Sequence, residues 1–216
     1  MVRENFEKNL QELEDKLGEM VRLTEEQMEQ SYEALKLQDV ETALKVIEKD
    51  NTIDDLEKEI NQMAIWLISK EQPLARDLRR IIGVLKISSD IERIADFAVN
   101  ISKATIKIGE RPSLLHLTQL EPMKNVTMDM LQKSLQSFVE QDISLAMEVV
   151  DLDDQVDMNS KGNYKKLTNY ISEHPEDTKQ LVQLLFINRF LERAADHITN
   201  IAESTAYLIK GQMYDF

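Results

Sequence analysis

Glu92, Asp96 and Asn100 step by four along the chain, and Glu192, Asp196 and Asn200 repeat the pattern one hundred residues later. On a helix, that step stacks side chains one turn above another, so each set forms a ridge of oxygen donors. Asp50 and Asp54 make a further pair, matched by Asp153 and Asp157 at an offset of 103. If the two pairs of each half share a groove, four carboxylates converge there. Like charges this close repel one another and raise their affinity for protons. A cation relieves that repulsion, and oxygen-only donors suit magnesium, calcium, manganese or iron.

A single acid-x3-acid pair is weak grounds for a metal site. With 40 acids among 216 residues, chance alone gives on the order of seven such pairs, and each is ordinarily a solvated helix face. Four pairs at matched positions are a different observation. Between them the surface has diverged freely: Phe97 is matched by His197, Val99 by Thr199 and Lys103 by Glu203. The acids stayed while their neighbours changed, which marks Asp50, Asp54, Glu92, Asp96, Asp153, Asp157, Glu192 and Asp196 as candidate metal ligands. Asn100 and Asn200, one turn along, are supporting donors.

Other chemistry finds little footing. His116, His174 and His197 are scattered, and no Glu-x-x-His pair of the di-iron kind stands on the motif helices. No glycine-rich phosphate loop and no Ser or Cys nucleophile motif is present. Arg93 and Arg193 are expected to pair with neighbouring acids, and Trp66 and Met63 lie at core spacing. No catalytic residue or organic cofactor is assigned, and the chain reads as a non-enzyme.

The elements that must carry the acids are helices. Gly numbers 5 and Pro 4, while helix formers dominate. IERIADFAVNI at 91–101 and LERAADHITNI at 191–201 are two copies of one unit. Asp39 and Asp142 read as N-caps, Pro73 and Pro175 as breaks, and Gly109 and Gly211 as C-terminal stops. The resulting helices span roughly 3–36, 39–70, 74–108, 114–140, 142–173 and 177–210, with the fourth starting as late as 121 or 122 because of Pro122. Helices this long joined by short connections run antiparallel. The expected fold is all-α: two tandem, pseudo-symmetric, separate antiparallel three-helix bundles, residues 1–110 and 113–216, six long helices in total. Ile87, Ile91, Ile94, Ala98, Ile101, Thr105 and Ile108 follow a 4-3 step as a bundle seam, repeated from Ile187 to Leu208. At about 100° per residue the acid ridge then lies opposite the seam, outside the bundle.

A net charge of −14 disfavours nucleic acid and anionic lipid as partners. No apolar run of about 18 residues is present, so no membrane insertion is expected. The absence of Cys fits a reducing compartment, and the expected location is cytoplasmic.

Taken together, Asp50-x3-Asp54 with Glu92-Arg93-Ile94-Ala95-Asp96, and Asp153-x3-Asp157 with Leu191-Glu192-Arg193-Ala194-Ala195-Asp196-His197, resemble the PhoU family of bacterial phosphate-signalling regulators. Arg76-Asp77-Leu78-Arg79, Lys86-Ile87 and Asn200-Ile201-Ala202-Glu203 fit the same pattern, over essentially the whole chain. Ala95 and Ala195 stand where the family often has Gly. The resemblance implies two similar three-helix bundles, with iron or zinc, or else manganese or magnesium, bound by those eight acids. It implies a negative regulator of phosphate uptake and of the starvation response. The implied partners are the ATPase subunit of the phosphate ABC transporter and the phosphate sensor histidine kinase, with the chain itself a homodimer. Two other readings start from the same residues: a metal-free helical adaptor, and a carboxylate-bridged metallo-phosphoesterase.

Overall fold

The computed structural model describes residues 2–109 and 114–210, with side chains from residue 4 onward. Helix α1 spans Val2–Leu37, α2 Val40–Glu48, α3 Asn51–Glu71 and α4 Ala75–Ile108. The second repeat carries α5 (Leu120–Glu140), α6 (Ile143–Glu173) and α7 (Thr178–Lys210), with short 3-10 turns at Leu115–Leu117 and Pro175–Asp177. No strand occurs among the described residues. None of these helices is long and apolar enough to cross a membrane.

The punctuation follows from side-chain chemistry. Asp39 Oδ1 accepts from the N–H groups of Glu41 and Thr42 at 3.0 and 3.1 Å, capping α2. Asp142 accepts from Ser144 N–H at 2.8 Å and caps α6 the same way. Gly109 ends α4 with φ +69°, a left-handed conformation that favours glycine. Gly211 and the expected boundary at 110–113 lie outside the described residues. The fourth long helix begins at Leu120, just before Pro122, which sits in its uncapped first turn.

One helix expected to be continuous is not. The second element of the first repeat breaks at Lys49–Asp50, whereas α6 runs through the matching position. Leu152, the counterpart of Lys49, packs against the core and holds that turn in place. Lys49 is exposed and has no such anchor. It is followed three residues on by Thr52, a weaker helix former than the matching Gln155. The chain tightens through Thr52 N–H to Lys49 C=O at 3.0 Å and starts a new helix.

Each repeat is an antiparallel three-helix bundle, as expected, but the two pack against each other rather than standing apart. Helices α4 and α7 pack along their lengths, and a single hydrophobic cluster runs through both repeats. Contacts pair Asp90 with His197 and Phe97 with Phe190, so the two helices are antiparallel. Those pairings are those of a pseudo-two-fold axis crossing between the motif segments. The sequence shows why: besides the seam, α4 buries Phe97, Val99, Ser102 and Ala104, which lie off the 4-3 positions. Phe97 is 5% exposed and sits 6.1 Å from Phe190 and 5.9 Å from His197, ring to ring. Trp66, at core spacing, is instead 44% exposed, with Lys70 Nζ 4.3 Å from its ring.

Removing the Phe97 ring tests how much the inter-repeat packing contributes. Phe97→Ala is expected to cost about 3–5 kcal/mol, a drop in Tm of roughly 6–20 °C for a chain of this size. Calorimetry would measure it. A loss below about 1 kcal/mol would mean that the α4–α7 contact contributes little.

Candidate metal centres

Burial by two neighbouring faces leaves α4 and α7 only narrow flanks, and the motif acids occupy them. Glu92 and Asp96 are half-buried beside α3 rather than fully outside the bundle, because what sequence periodicity reads as the outer side of α4 is partly covered by its neighbours. The α2–α3 break sets Asp50 at the start of α3, where its carboxylate makes no capping bond to the helix. It is turned instead towards its neighbours.

Proton affinities show which acids meet. Asp50 is raised above the usual carboxylate range by burial, then by Asp54, with the Gln27 amide opposing, and then by Asp96, with Lys103 also opposing. Glu92 is raised by burial, then by Asp96, with Glu57 and Asp54 adding and Arg93 opposing. All four expected residues of the first repeat thus feel one another across the α3–α4 groove. In the second repeat, burial first and then Asp196, Asp157, Asp154 and Glu192 push Asp153 up to about 6. Asp196 is raised by burial, Glu192 and Asp157, with Arg189 and His197 opposing. The second quartet also converges, between α6 and α7. Asn100 is half-buried and Asn200 exposed, one turn further along.

Basic side chains partly answer this charge. Arg93 reaches Asp96 at 3.2 Å and Glu92 at 3.5 Å. Lys161 reaches Asp157 at 2.8 Å, and Arg189 reaches Glu192 at 3.2 Å. Arg193, expected in an ion pair, lies over the Phe97 ring at 5.2 Å instead. Among the described residues no three His, Asp or Glu side chains close around one point tightly enough to enclose an ion. The quartets are open clusters, and coordination would require these flexible cations to swing aside.

The donor set nevertheless suits a hard cation. Gln27, on α1, is buried at 6% exposure; its amide faces Asp50 closely enough to oppose the rise in that carboxyl's proton affinity, but neither its oxygen nor its nitrogen reaches a partner at full hydrogen-bonding distance. A buried amide left unpaired is costly unless something else meets it. An amide oxygen can join carboxylates around a hard cation, and the amide N–H can orient a ligating carboxylate. Sequence periodicity missed Gln27 because it stands on another helix and its counterpart is Met130. It missed Glu57 because the matching position is Ser160, so a search for repeated acids discards it.

Ser160 makes the second centre different. Its Oγ donates to Glu192 Oε2 at 3.0 Å, and Asn188 Nδ2 donates to that Oγ at 2.9 Å. Asn163 Nδ2 donates to Asn188 Oδ1 at 2.8 Å, and Gln119 N–H donates to Asn163 Oδ1 at 2.7 Å. This buried chain fixes Glu192 from the core side. In the first repeat the corresponding places hold Glu57, Ser88 and Ile60, so no such chain forms.

The chain matches the family model described as "PhoU domain" twice, over residues 17–105 and 120–205. It is 39% identical over 216 residues to a phosphate-specific transport system accessory protein PhoU homolog of Clostridium acetobutylicum, covering 100% of this chain and 99% of that protein. A homolog of the same name from Aquifex aeolicus is 38% identical over 206 residues, covering 95% and 93%. The crystal structure of the phosphate transport system regulatory protein PhoU from Streptococcus pneumoniae superposes with a TM-score of 0.87 at 29% identity, covering 98% of this chain and 100% of that one. That of PhoU from Pseudomonas aeruginosa gives 0.89 at 31%, covering 96% and 100%.

The pH response of the metal-free protein follows from Asp153. Folded, it keeps its proton up to about pH 6, against an ordinary value of 3.8 in the unfolded chain, so between those values the folded state binds more protons than the unfolded. Stability from this group is full below the unfolded value and is lost as pH rises through the folded one. Asp153→Asn should therefore raise the Tm of metal-free protein at about pH 7.5 and leave it little changed near about pH 3.5. Parallel melts at the two pH values check this; an equal effect at both would contradict it.

Proposed function

The chain belongs to the PhoU family, and from that premise we propose that it restrains phosphate uptake and the phosphate-starvation response. Relatives over its full length are named as accessory and regulatory proteins of phosphate transport systems. In this reading it is a negative regulator working by contact, not catalysis. Its partners are the ATPase subunit of the phosphate transporter and the sensor histidine kinase, and it acts as a cytoplasmic homodimer. The observation that carries the reading is the match of both repeats to the family along the whole chain, with the two acid quartets at equivalent places in each.

The proposal extends to metal. Asp50, Asp54, Glu92 and Asp96 would hold a cation in the first repeat, with Gln27 and Glu57 beside them. Asp153, Asp157, Glu192 and Asp196 would do so in the second. Iron or zinc is the proposed occupant, with manganese or magnesium suited by the all-oxygen donors. A bound cation supplies positive charge that cancels mutual repulsion and fixes the shape of these two faces. Arg93, Lys161 and Arg189 hold the free oxygens when no cation does, keeping the faces folded but softer. Those same ion pairs favour a second reading, an adaptor that works without metal; elemental analysis of purified protein separates the two.

Changing Glu92 and Asp96 together to Ala removes two ligands and two charges from one centre. Neither side chain is in the core, so the melting temperature of metal-free protein should hold or rise. Manganese affinity at the first centre should fall by more than about 100-fold, since even outer residues of metal sites cost 10–100-fold. Binding to the transporter ATPase or the kinase should weaken, read by pull-down of the purified components. Unchanged partner binding with metal lost would leave metal no part in regulation. Normal phosphate-responsive expression in a strain lacking every copy of the gene would end the regulatory reading altogether.

A further inference from the structure

The acid quartets use one region of α4; its other notable residues stand at its start. Arg76, Arg79 and Arg80 sit in the first turns of that helix, on a protein of net charge −14. The second repeat holds Glu176, Lys179 and Gln180 at these positions, so the arginines do not follow from the duplication. They line a cavity of about 760 Å³ at the end of the molecule where the two repeats meet. That volume lies within the ordinary range for small-molecule sites.

The three guanidinium groups are not equally committed. Arg80 forks onto the buried Glu14 carboxylate, Nη2 to Oε2 at 2.8 Å with Nε facing Oε1. Arg76 donates only to a neutral group, Gln141 Oε1 of the second repeat, at 2.7 Å. Arg79 has its Nε buried with no hydrogen-bond partner. A guanidinium nitrogen out of water and unpaired is costly, and its planar fork fits a phosphate or carboxylate oxygen. Helix α4 also begins without a side-chain cap, so the positive end of its dipole borders the same space.

The remaining wall narrows the ligand. Phe6, Leu10, Phe138 and Leu208 provide an apolar side. Gly83 is buried nearby, and a Cβ there would overlap the Leu208 side chain, so glycine lets that wall close. The cavity also carries Glu71 and Asp77, of which Glu71 lies 3.7 Å from Lys70. Those carboxylates would repel a bare anion but accept hydrogen bonds from a ligand that brings N–H or O–H donors. Two available arginines favour a dianionic phosphate over a single carboxylate.

We propose that this cavity binds a small organic phosphate of nucleotide size. Arg79 and Arg76 hold the phosphate, the apolar wall takes a flat ring, and the acids meet its hydroxyl or amine donors. The site lies between the repeats, so a ligand here would stiffen their junction. It is independent of the acid quartets and of any metal.

The experiment is calorimetric titration of the full chain, stripped of metal with chelator so that no bound cation can draw phosphate. AMP, inorganic phosphate and adenosine are the probes. AMP is expected to bind with a submillimolar Kd, and phosphate or adenosine at least about tenfold more weakly, since each fills only part of the site. Arg79→Gln and Arg76→Gln should each weaken AMP about tenfold or more, equivalent to about 1.4 kcal/mol. Circular dichroism confirms that both variants fold; Arg76 is exposed, so its change leaves packing intact. Equal binding of AMP and inorganic phosphate overturns the proposal. So does no AMP binding up to about 5 mM, or an affinity unmoved by both substitutions.

Discussion

The antiparallel packing of α4 on α7 is the contact on which the rest of this molecule depends. It turns two three-helix units into one body with a shared core, and it commits each of these helices to neighbours on more than one side. A helix so enclosed has little surface left. The polar residues of its motif are therefore crowded onto flanks that are neither core nor open water. Half-burial of carboxylates beside other carboxylates is the consequence, and it accounts for the raised proton affinities of Asp50, Glu92 and Asp153. The acids are unstable neighbours by construction, and a cation is the simplest partner that could settle them.

The duplication is real but imperfect, and the differences are where the two halves become distinct in chemistry. Lys49 in place of Leu152 frees a turn and breaks one helix, putting Asp50 at a helix start while Asp153 stays within α6. Glu57 in place of Ser160 adds a fifth acid near the first centre. Ser160 instead ties Glu192 to the buried Asn188 and Asn163. Asp154, in place of Asn51, is the fifth acid of the second centre, so the two centres differ in bracing rather than in the number of acids: only the second is held from behind. Two sites of one ancestry can thus differ in affinity without any change in the acids they share.

Much of this was legible in the residues. Caps at Asp39 and Asp142, the stop at Gly109 and the prolines fix element boundaries through local hydrogen bonding and φ preference, which short stretches encode. The quartets were legible because two copies of the same spacing cannot be explained by composition. What escaped was set by packing between distant segments. Periodicity located the seam of α4 but treated the opposite side as solvent, since a single helix pattern does not say that another repeat lies against Phe97. Gln27 carries no periodic mark, and its place beside Asp50 arises only when α1 and the α2–α3 turn come together. Arg193 was read by analogy with Arg93, yet the inter-repeat contact places an aromatic ring under it.

The central claim is that the convergent carboxylates of each repeat hold a cation on a defined face of the molecule. Anomalous diffraction from crystals of this protein grown with manganese, collected at wavelengths either side of the metal edge, tests it most directly. The account predicts anomalous peaks in the α3–α4 groove among Asp50, Asp54, Glu92 and Asp96, and in the α6–α7 groove among Asp153, Asp157, Glu192 and Asp196. In both, Arg93, Lys161 and Arg189 should be turned away from the acids. Well-ordered quartets with no peak, their carboxylates still paired to those three basic side chains, would contradict it.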